Sequence, residues 1–213
     1  MEDKTILKLS EPLSKGNMSL EEVFKLRTTV REFSSEEIDF TIISQLLWAL
    51  QGSLYTESLP SGELIYHRIA PSAGKSYPLE VYAVLSTGLY HYEVSEHALH
   101  LLSEKDVREA LSEAVISPIN KAAIKTTPLT IVLAMDNQKA LKATPIMENS
   151  IRYVHLEAGH ATQNLILQAA CYGLGVCTIT SYQLGPVYES LELPREHRPI
   201  YLLPIGFPKR QIL

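Results

Sequence analysis

Apolar residues recur with helical spacing in the N-terminal part of the chain, and polar residues able to cap a helix precede each stretch. Ser19 has the side chain of an N-cap and Glu22 follows at the capping-box position, so a short helix is predicted to begin there. Apolar positions recur three or four residues apart through 38–50, which predicts a second helix. We expect Ser34 or Ser35 to cap this second helix.

The strongest helical pattern lies in the C-terminal half. Residues 148–172 carry apolar and small side chains on one face, and Gly173 follows as a helix stop. A single long helix is therefore predicted. A shorter pattern over 104–116 predicts another helix.

Six stretches have the composition of β-strands, with many β-branched and aromatic residues: 79–85, 88–93, 99–102, 129–135, 176–179 and 200–205. The second and third of these are separated by a short polar turn and predict a hairpin. The run 129–135 is apolar throughout, which is typical of a central strand buried on both faces.

Two polar stretches interrupt these elements. Residues 53–67 contain a proline and a glycine and are predicted to form a loop. Residues 137–147 also contain a proline and are interpreted as a mobile segment, a candidate lid. Residues 1–18 are expected to form an arm that packs on the rest. Helices and strands interleave without a repeat or a linker, so we expect one α+β or mixed α/β domain over 1–213.

Composition excludes several classes of protein. The 213 residues are 46% hydrophobic, enough for a substantial core, and 19 basic against 24 acidic residues give a net charge of −5, so nucleic acid is not an expected partner. No apolar run has the ~18 residues of a membrane span, and Met1–Lys4 has no feature of a secretion signal. Cys171 and Cys177 do not form a disulfide framework. We therefore expect a cytoplasmic protein without a membrane partner.

Two arginines and a threonine stand close together after the first helix, as Arg27, Thr29 and Arg31. An arginine fork matches phosphate oxygens better than a lysine does, so the group is a candidate phosphate site. We expect Arg27 at the helix end and Arg31 in the following turn. Taken alone, the group is more typical of a solvated turn between helices, with the arginines paired to Glu32, Glu36 or Glu37.

A loop of small residues, Pro71, Ser72, Ala73 and Gly74, precedes the strand at 79–85. Small side chains allow backbone groups to approach a ligand closely. An ordinary turn has the same composition, so it is the co-occurrence of this loop with the arginine group that favours a ligand site.

Other candidate chemistry is rejected. The G-x-G at residues 173–175 follows a helix and precedes a strand, the reverse of a dinucleotide-binding fingerprint. His155 and His160 are about 140° apart around a helix, so no metal site is expected. Glu157 is interpreted as a structural carboxylate, paired with Arg152 or with a buried group. No hydrolase or NTPase motif is present.

The two motifs, in this order, resemble the FMN-dependent nitroreductase family, and the resemblance covers about 7–208. It includes 46–52, 88–92 and 204–208. The segment 152–165, RYVHLEAGHATQNL, is similar to the SagB-type dehydrogenase branch of that family.

The resemblance implies a nitroreductase-like α+β fold, with a central mixed or antiparallel sheet flanked by helices, in an intertwined homodimer with two FMN sites at the interface. It implies that the FMN phosphate is held by Arg27, Thr29 and Arg31. The loop Pro71, Ser72, Ala73 and Gly74 would line the ring, from the partner subunit. The backbone of Thr180 and Ser181 would lie near the ring's N5 and O4, and Lys209 and Arg210 match the family's C-terminal basic position loosely.

The family pattern also implies a reaction. NADH or NADPH is the expected electron donor, and a small organic acceptor such as a nitro compound or quinone then takes its place. No side-chain acid or base is assigned. Peptide azoline dehydrogenases of the SagB-type branch carry a Lys-Tyr pair before the long helix, whereas 143–148 has neither residue, so that activity is disfavoured. A flavin-binding redox sensor without turnover is the alternative from another class.

Overall fold

The computed structural model describes residues 5–210. Met1–Lys4, on which part of the expectation about secretion depends, lie outside the described residues. No described helix has the length and apolar character needed to cross a membrane.

Seven strands form one sheet in which all neighbouring pairs are antiparallel, with the order β1-β6-β5-β4-β7-β9-β8. Its strands are β1 (Ile6–Lys8), β4 (Leu79–Leu85), β5 (Gly88–Glu93), β6 (Ala98–Ser103), β7 (Leu129–Asp136), β8 (Gly175–Val176) and β9 (His197–Gly206). The helices are α1 (Leu20–Leu26), α2 (Phe40–Gln51), α3 (Arg108–Glu113), α4 (Pro118–Thr126), α5 (Asn137–Ala143), α6 (Met147–Cys171) and α7 (Leu184–Leu191). The predicted hairpin is β5 and β6, and β1 adds the N-terminal arm to its edge.

Helices cover both faces of the sheet, and β7 lies between them. All eight residues of β7 are buried, as predicted for a central strand. Ile131 and Leu133 pack in the cluster that contains α2 and α6, whereas Val132 and Ala134 pack in the cluster that contains α3 and α7. This alternation follows from the two-residue period of a strand and separates the molecule into two apolar layers.

The prediction of a loop over 53–67 is wrong. Residues Ser53–Ser58 and Leu64–Arg68 form an antiparallel hairpin, β2 and β3, outside the main sheet. Most of its side chains are at least partly exposed, so the sequence lacks the apolar alternation of a half-buried strand. The turn contains Gly62 at φ +85°, a conformation that glycine adopts without strain.

One of the two predicted helix caps differs from the structure. The capping box of Ser19 and Glu22 is present at α1, but α2 begins at Phe40 and not after Ser34 or Ser35. The cap of α2 is Asp39, whose carboxylate accepts from the backbone N–H of Thr41 at 2.7 Å. Ser34, Ser35 and Asp39 are all residue types that can cap a helix, and the spacing of the apolar residues does not show which of them does so.

The segment 137–147 is not irregular throughout. Its first seven residues form α5, and Asp136 caps that helix by accepting from the N–H groups of Gln138 and Lys139 at 2.8 and 3.0 Å. This cap is also the last residue of the buried strand β7, so the helix follows the strand without a connecting loop. Three residues separate α5 from the long helix α6, which begins at Met147, close to the predicted start at 148.

Candidate functional site

The segment that contains Arg27, Thr29 and Arg31 is an extended chain and not a turn. Thr29 forms a parallel bridge with Val176, and the N–H of Val30 donates to the carbonyl of Val176 at 3.3 Å. Alternate residues of an extended chain face the same side. Arg27 and Thr29 therefore share one side, where both line the same cavity, and Val30 is buried on the other. The side chain of Arg31 lies beside Cys177.

Gly175 makes this arrangement possible. A Cβ atom at position 175 would lie 2.0 Å from Cγ2 of Val30. Only a residue without a side chain allows β8 to approach Val30 this closely. The glycine therefore fixes the position of the segment that carries the arginines.

One face of α6 lines a cavity of about 270 Å³ with Arg27 and Thr29. The other lining residues include Gly159, Thr162, Gln163, Ile166, Val176, Thr178 and Tyr201. Thr162 is only 3% exposed, and its hydroxyl has no hydrogen-bond partner within residues 5–210. Buried hydroxyls are almost always satisfied, so this unpaired group is available to a ligand.

A second cavity, of about 360 Å³, continues beyond Tyr201, which lines both. It is lined by His155, Thr180, Tyr182, Leu184, Arg198, Pro199, Ile200 and Tyr201. His155 lies one turn before Gly159 and so on the same face of α6. We call the two cavities together the α6 groove. From His155 to Ile166 the helix rises about 17 Å, enough for an elongated ligand.

The small-residue loop does not reach the groove of its own chain. Ser72 lies beside the carboxyl group of Glu157, and Gly74 packs against Ala143, with its Cβ position 3.3 Å from that residue's Cα. Glu157 and Gly159 are about 200° apart around α6. The loop Pro71–Gly74 thus lies on the side of α6 that faces away from the groove.

The C-terminal residues lie beside the arginine segment. Phe33 forms an antiparallel bridge with Pro208, and the N–H of Lys209 donates to the carbonyl of Glu32 at 2.9 Å. The same register places Arg210 opposite Arg31. The backbone thus brings both C-terminal basic residues beside the part of the segment that carries Arg31.

Of the other predicted site residues, Thr180 lines the groove and Ser181 does not. The carbonyl of Ser181 accepts a hydrogen bond from the N–H of Ile116 at 3.3 Å. The groove residues Gly159, Thr162, Gln163 and Tyr201 were not predicted from the sequence. The spacing of His155, Gly159 and Thr162 at intervals of four and three was the available signal, because it places them on one helix face.

Two glutamates, Glu157 and Glu80, have pKa values far from that of an ordinary glutamate. Burial raises the pKa of Glu157 to about 7, although Ser72 and Arg68 oppose the shift. The predicted pair of Glu157 with Arg152 is not formed, because Arg152 pairs with Glu148 at 2.9 Å. Burial also opposes ionisation of Glu80, but hydrogen bonds and charges from His91 and Lys139 outweigh it and lower the pKa of Glu80 to about 2.

Glu80 belongs to a polar cluster on the other layer of the molecule. Ligand atoms of Glu80, Asp136 and His197 lie within 4.8 Å of one another, a geometry that suits a metal ion. The ammonium group of Lys139 contacts Glu80 and lies 4.0 Å from Asp136. It supplies a positive charge to both carboxylates, so we interpret the cluster as structural.

A cavity of about 690 Å³ adjoins this cluster, and Tyr82, His91 and His197 are among its lining residues. None of the site residues predicted from the sequence lines it. Because it contains neither the arginines nor the extended segment, we place the functional site in the smaller α6 groove.

Comparison with known proteins identifies the family. Residues 25–207 match the model of the nitroreductase family. The chain belongs to the nitroreductase family. A protein of Methanocaldococcus jannaschii that is provisionally named a nitroreductase is 26% identical over 195 residues, which are 89% of this chain and 91% of that protein.

Solved structures agree with this nitroreductase fold. A provisionally named nitroreductase from Ralstonia eutropha JMP134 has a TM-score of 0.80 and 26% identity, over 97% of this chain and 90% of that one. A Parabacteroides distasonis protein, provisionally named an NADH dehydrogenase/NAD(P)H nitroreductase, has a TM-score of 0.63 and 20% identity, over 91% and 89% of the two chains. The nitroreductase-like fold expected from the sequence is confirmed.

Family membership makes this chain an oxidoreductase, as expected from the sequence. Nitroreductases typically use FMN with NAD(P)H and typically form dimers. The comparisons identify the family and do not reach the level of the SagB-type branch.

Proposed function

We propose that this nitroreductase binds FMN in the α6 groove and catalyses the NAD(P)H-dependent reduction of a small organic acceptor, such as a nitro compound or a quinone. One observation carries the proposal: Arg27, Thr29 and the unpaired buried hydroxyl of Thr162 converge on a single groove. Arginine forks suit a phosphate group, and Arg31 follows Arg27 on the same extended segment.

The residues fit the cofactor from end to end. Arg27, Thr29 and Arg31 bind the phosphate, and Lys209 and Arg210 add positive charge at the same end. The open space over Gly159 leaves room beside α6. The ring ends at Tyr201, where the backbone of Thr180 and Ser181 borders it from the side of the second cavity. Bound FMN supplies the two-electron chemistry between donor and acceptor.

We further propose a homodimer in which the loop Pro71, Ser72, Ala73 and Gly74 lines the partner's ring. Within one chain this loop lies behind α6, away from the groove, so it reaches a groove only from a second copy. Large apolar side chains exposed on α1 and α6 support such an interface: Leu20, Phe24, Leu26, Ile151 and Leu156. Contiguous exposed apolar residues commonly mark contact surfaces.

Within the family we propose the SagB-type branch, on the likeness of 152–165, but not peptide azoline oxidation, because 143–148 has no Lys-Tyr pair. A flavin-binding redox sensor is the second candidate. It has the same phosphate site but no turnover with any acceptor. The cytoplasmic location stays a prediction from sequence.

The test compares the protein with a variant that combines Arg27→Ala and Arg31→Ala. Each charge-assisted contact contributes about 1.5–3 kcal/mol, so we expect FMN affinity to fall about 10²- to 10⁴-fold. Arg195→Ala, an exposed arginine that lines no part of the groove, is the control. Absorbance at visible wavelengths reports bound flavin, and its bleaching by NADH or NADPH under anaerobic conditions reports reduction.

The outcomes separate the candidates. Full flavin occupancy in the double variant would contradict the phosphate assignment. Yellow protein that neither nucleotide bleaches favours the sensor. A flavin-loaded monomer in sedimentation would contradict the shared site.

A further inference from the structure

The end of the α6 groove beyond Tyr201 is lined by basic side chains and, among the described residues, by no acidic ones. Arg198 and His155 line this 360 Å³ cavity, and no aspartate or glutamate within residues 5–210 does. The chain as a whole carries a net charge of −5. A cavity with basic but no acidic side chains favours an anionic ligand.

Arg198 is available to such a ligand. It is exposed and forms no ion pair with an acidic residue among those that the structure describes. Its neighbour on β9, His197, bonds to Tyr82 in the other apolar layer. Adjacent strand residues face opposite sides, so Arg198 is directed to the layer of α6, where it lines the cavity.

His155 is oriented by its own helix. Its Nδ1 donates to the carbonyl of Ile151 at 2.7 Å, which leaves Nε2 as the ring nitrogen free to contact a ligand. Gly159, one turn further along the same face, lines the adjoining cavity with Arg27. A molecule beside His155 and Arg198 therefore lies next to the space that we assign to the flavin.

Most of the remaining lining is aromatic or apolar. Tyr182 and Tyr201 contribute aromatic rings, Leu184, Pro199 and Ile200 add apolar side chains, and Thr180 completes the lining. Aromatic and proline side chains suit a planar ring, and the arginine fork suits a carboxylate in a bidentate geometry. The cavity thus combines a slot for a ring with a cation at its edge.

We propose that this cavity binds the substrate as an aromatic carboxylate, with Arg198 on the carboxylate, His155 beside it, and the ring between Tyr182 and Tyr201. The inference rests on the proposed function, because it names the substrate class of the same groove. Arg198 is then a specificity-determining residue, which recognises the acid group and takes no part in electron transfer.

Binding tests the proposal most directly. Benzoate and benzamide have the same size and differ in charge, and each is titrated into the purified protein in a calorimeter. We expect benzoate to bind at least 10-fold more tightly. In Arg198→Ala the preference should disappear, while Arg198→Lys should retain part of it. Arg195→Ala is the matched control and should retain all of it.

A kinetic comparison uses 4-nitrobenzoate and 4-nitrobenzamide as acceptors. In Arg198→Ala the KM for the acid should rise about 10- to 100-fold with kcat within twofold, and the KM for the amide should not change. Equal affinity for both ligands, absence of binding by either, or a preference that survives Arg198→Ala would overturn the proposal.

The two proposals fail in different ways. Protein that contains no flavin, or that turns over neither the amide nor a neutral quinone, contradicts the proposed function. Protein that is yellow and reduces the amide, but shows no preference for the acid, contradicts only the assignment of Arg198.

Discussion

The close contact between Gly175 and Val30 allows a sharp prediction. In Gly175→Ala the new methyl group would begin 2.0 Å from Cγ2 and 2.4 Å from Cβ of Val30. That is roughly 1.5 Å short of an ordinary carbon–carbon contact. Val30 is buried, and its backbone is tied to Val176, so the strain is relieved only by moving the extended segment.

Overpacking of this kind costs about 1–3 kcal/mol. Because Thr29 and Arg31 flank Val30, a shift of the segment also moves the proposed phosphate ligands. We expect Gly175→Ala to lower the free energy of unfolding by that amount and to weaken FMN binding at least 10-fold. Urea unfolding measures the first quantity, and quenching of flavin fluorescence measures the second.

A double-mutant cycle isolates the contact. Val30→Ala alone should cost about 2 kcal/mol through loss of buried methyl groups. Combined with Gly175→Ala it should cost less than the sum, because the 2.0 Å contact with Cγ2 is removed while the 2.4 Å contact with Cβ remains. Gly185→Ala, whose Cβ would contact nothing within 4 Å, is the control. Additive losses, or unchanged flavin affinity in Gly175→Ala, would refute the reasoning.

Three further predictions concern the groove and the buried acids. Gly159→Ala adds a methyl group in open space on α6, so it should stabilise the helix by about 0.5–1 kcal/mol yet weaken FMN binding; stronger or equal flavin binding would show that the ring lies elsewhere. Glu80, whose pKa is about 2 in the fold against 4.5 for an ordinary glutamate, contributes stability above pH 4.5 that is lost as the pH falls towards 2. In urea unfolding Glu80→Gln should therefore cost about 3 kcal/mol at pH 7, and a difference that does not shrink towards pH 2 would contradict this. Glu157 has the opposite sign: its pKa of about 7 means that stability is lost as the pH rises from about 4.5 through 7. Glu157→Gln should be more stable than the native chain at pH 8, by up to about 3 kcal/mol, and should match it near pH 4. An equal difference at both pH values would contradict the raised pKa of Glu157.

The elements that sequence predicted best are those whose pattern is set by burial. Strand β7 and helix α6 pack on apolar neighbours along most of their length, so their residues carry the period of the element. The β2–β3 hairpin and α5 are more exposed. Their backbone hydrogen bonds do not require apolar residues at fixed positions. The pattern therefore does not specify them.

The sequence proposes the chemistry of the site but does not give its geometry. It proposes Arg27, Thr29 and Arg31 as phosphate ligands and places Arg31 in a turn, whereas the structure has an extended segment there. The extended conformation depends on Val176 and Pro208, which are far away in sequence, and no local rule includes them. The groove face of α6 was missed for the same reason, since an exposed helix face has no apolar period.

The extended segment from Arg27 to Phe33 also affects how the protein is made. Its two backbone partners lie about 150 and 175 residues further along the chain, at Val176 and Pro208. Closing loops of that length is slow. The segment from Arg27 to Phe33 also cannot pair with Val176 and Pro208 until those residues have emerged from the ribosome. Binding of the proposed flavin would therefore be a late event in synthesis, and a chain able to hold it would already have completed its sheet.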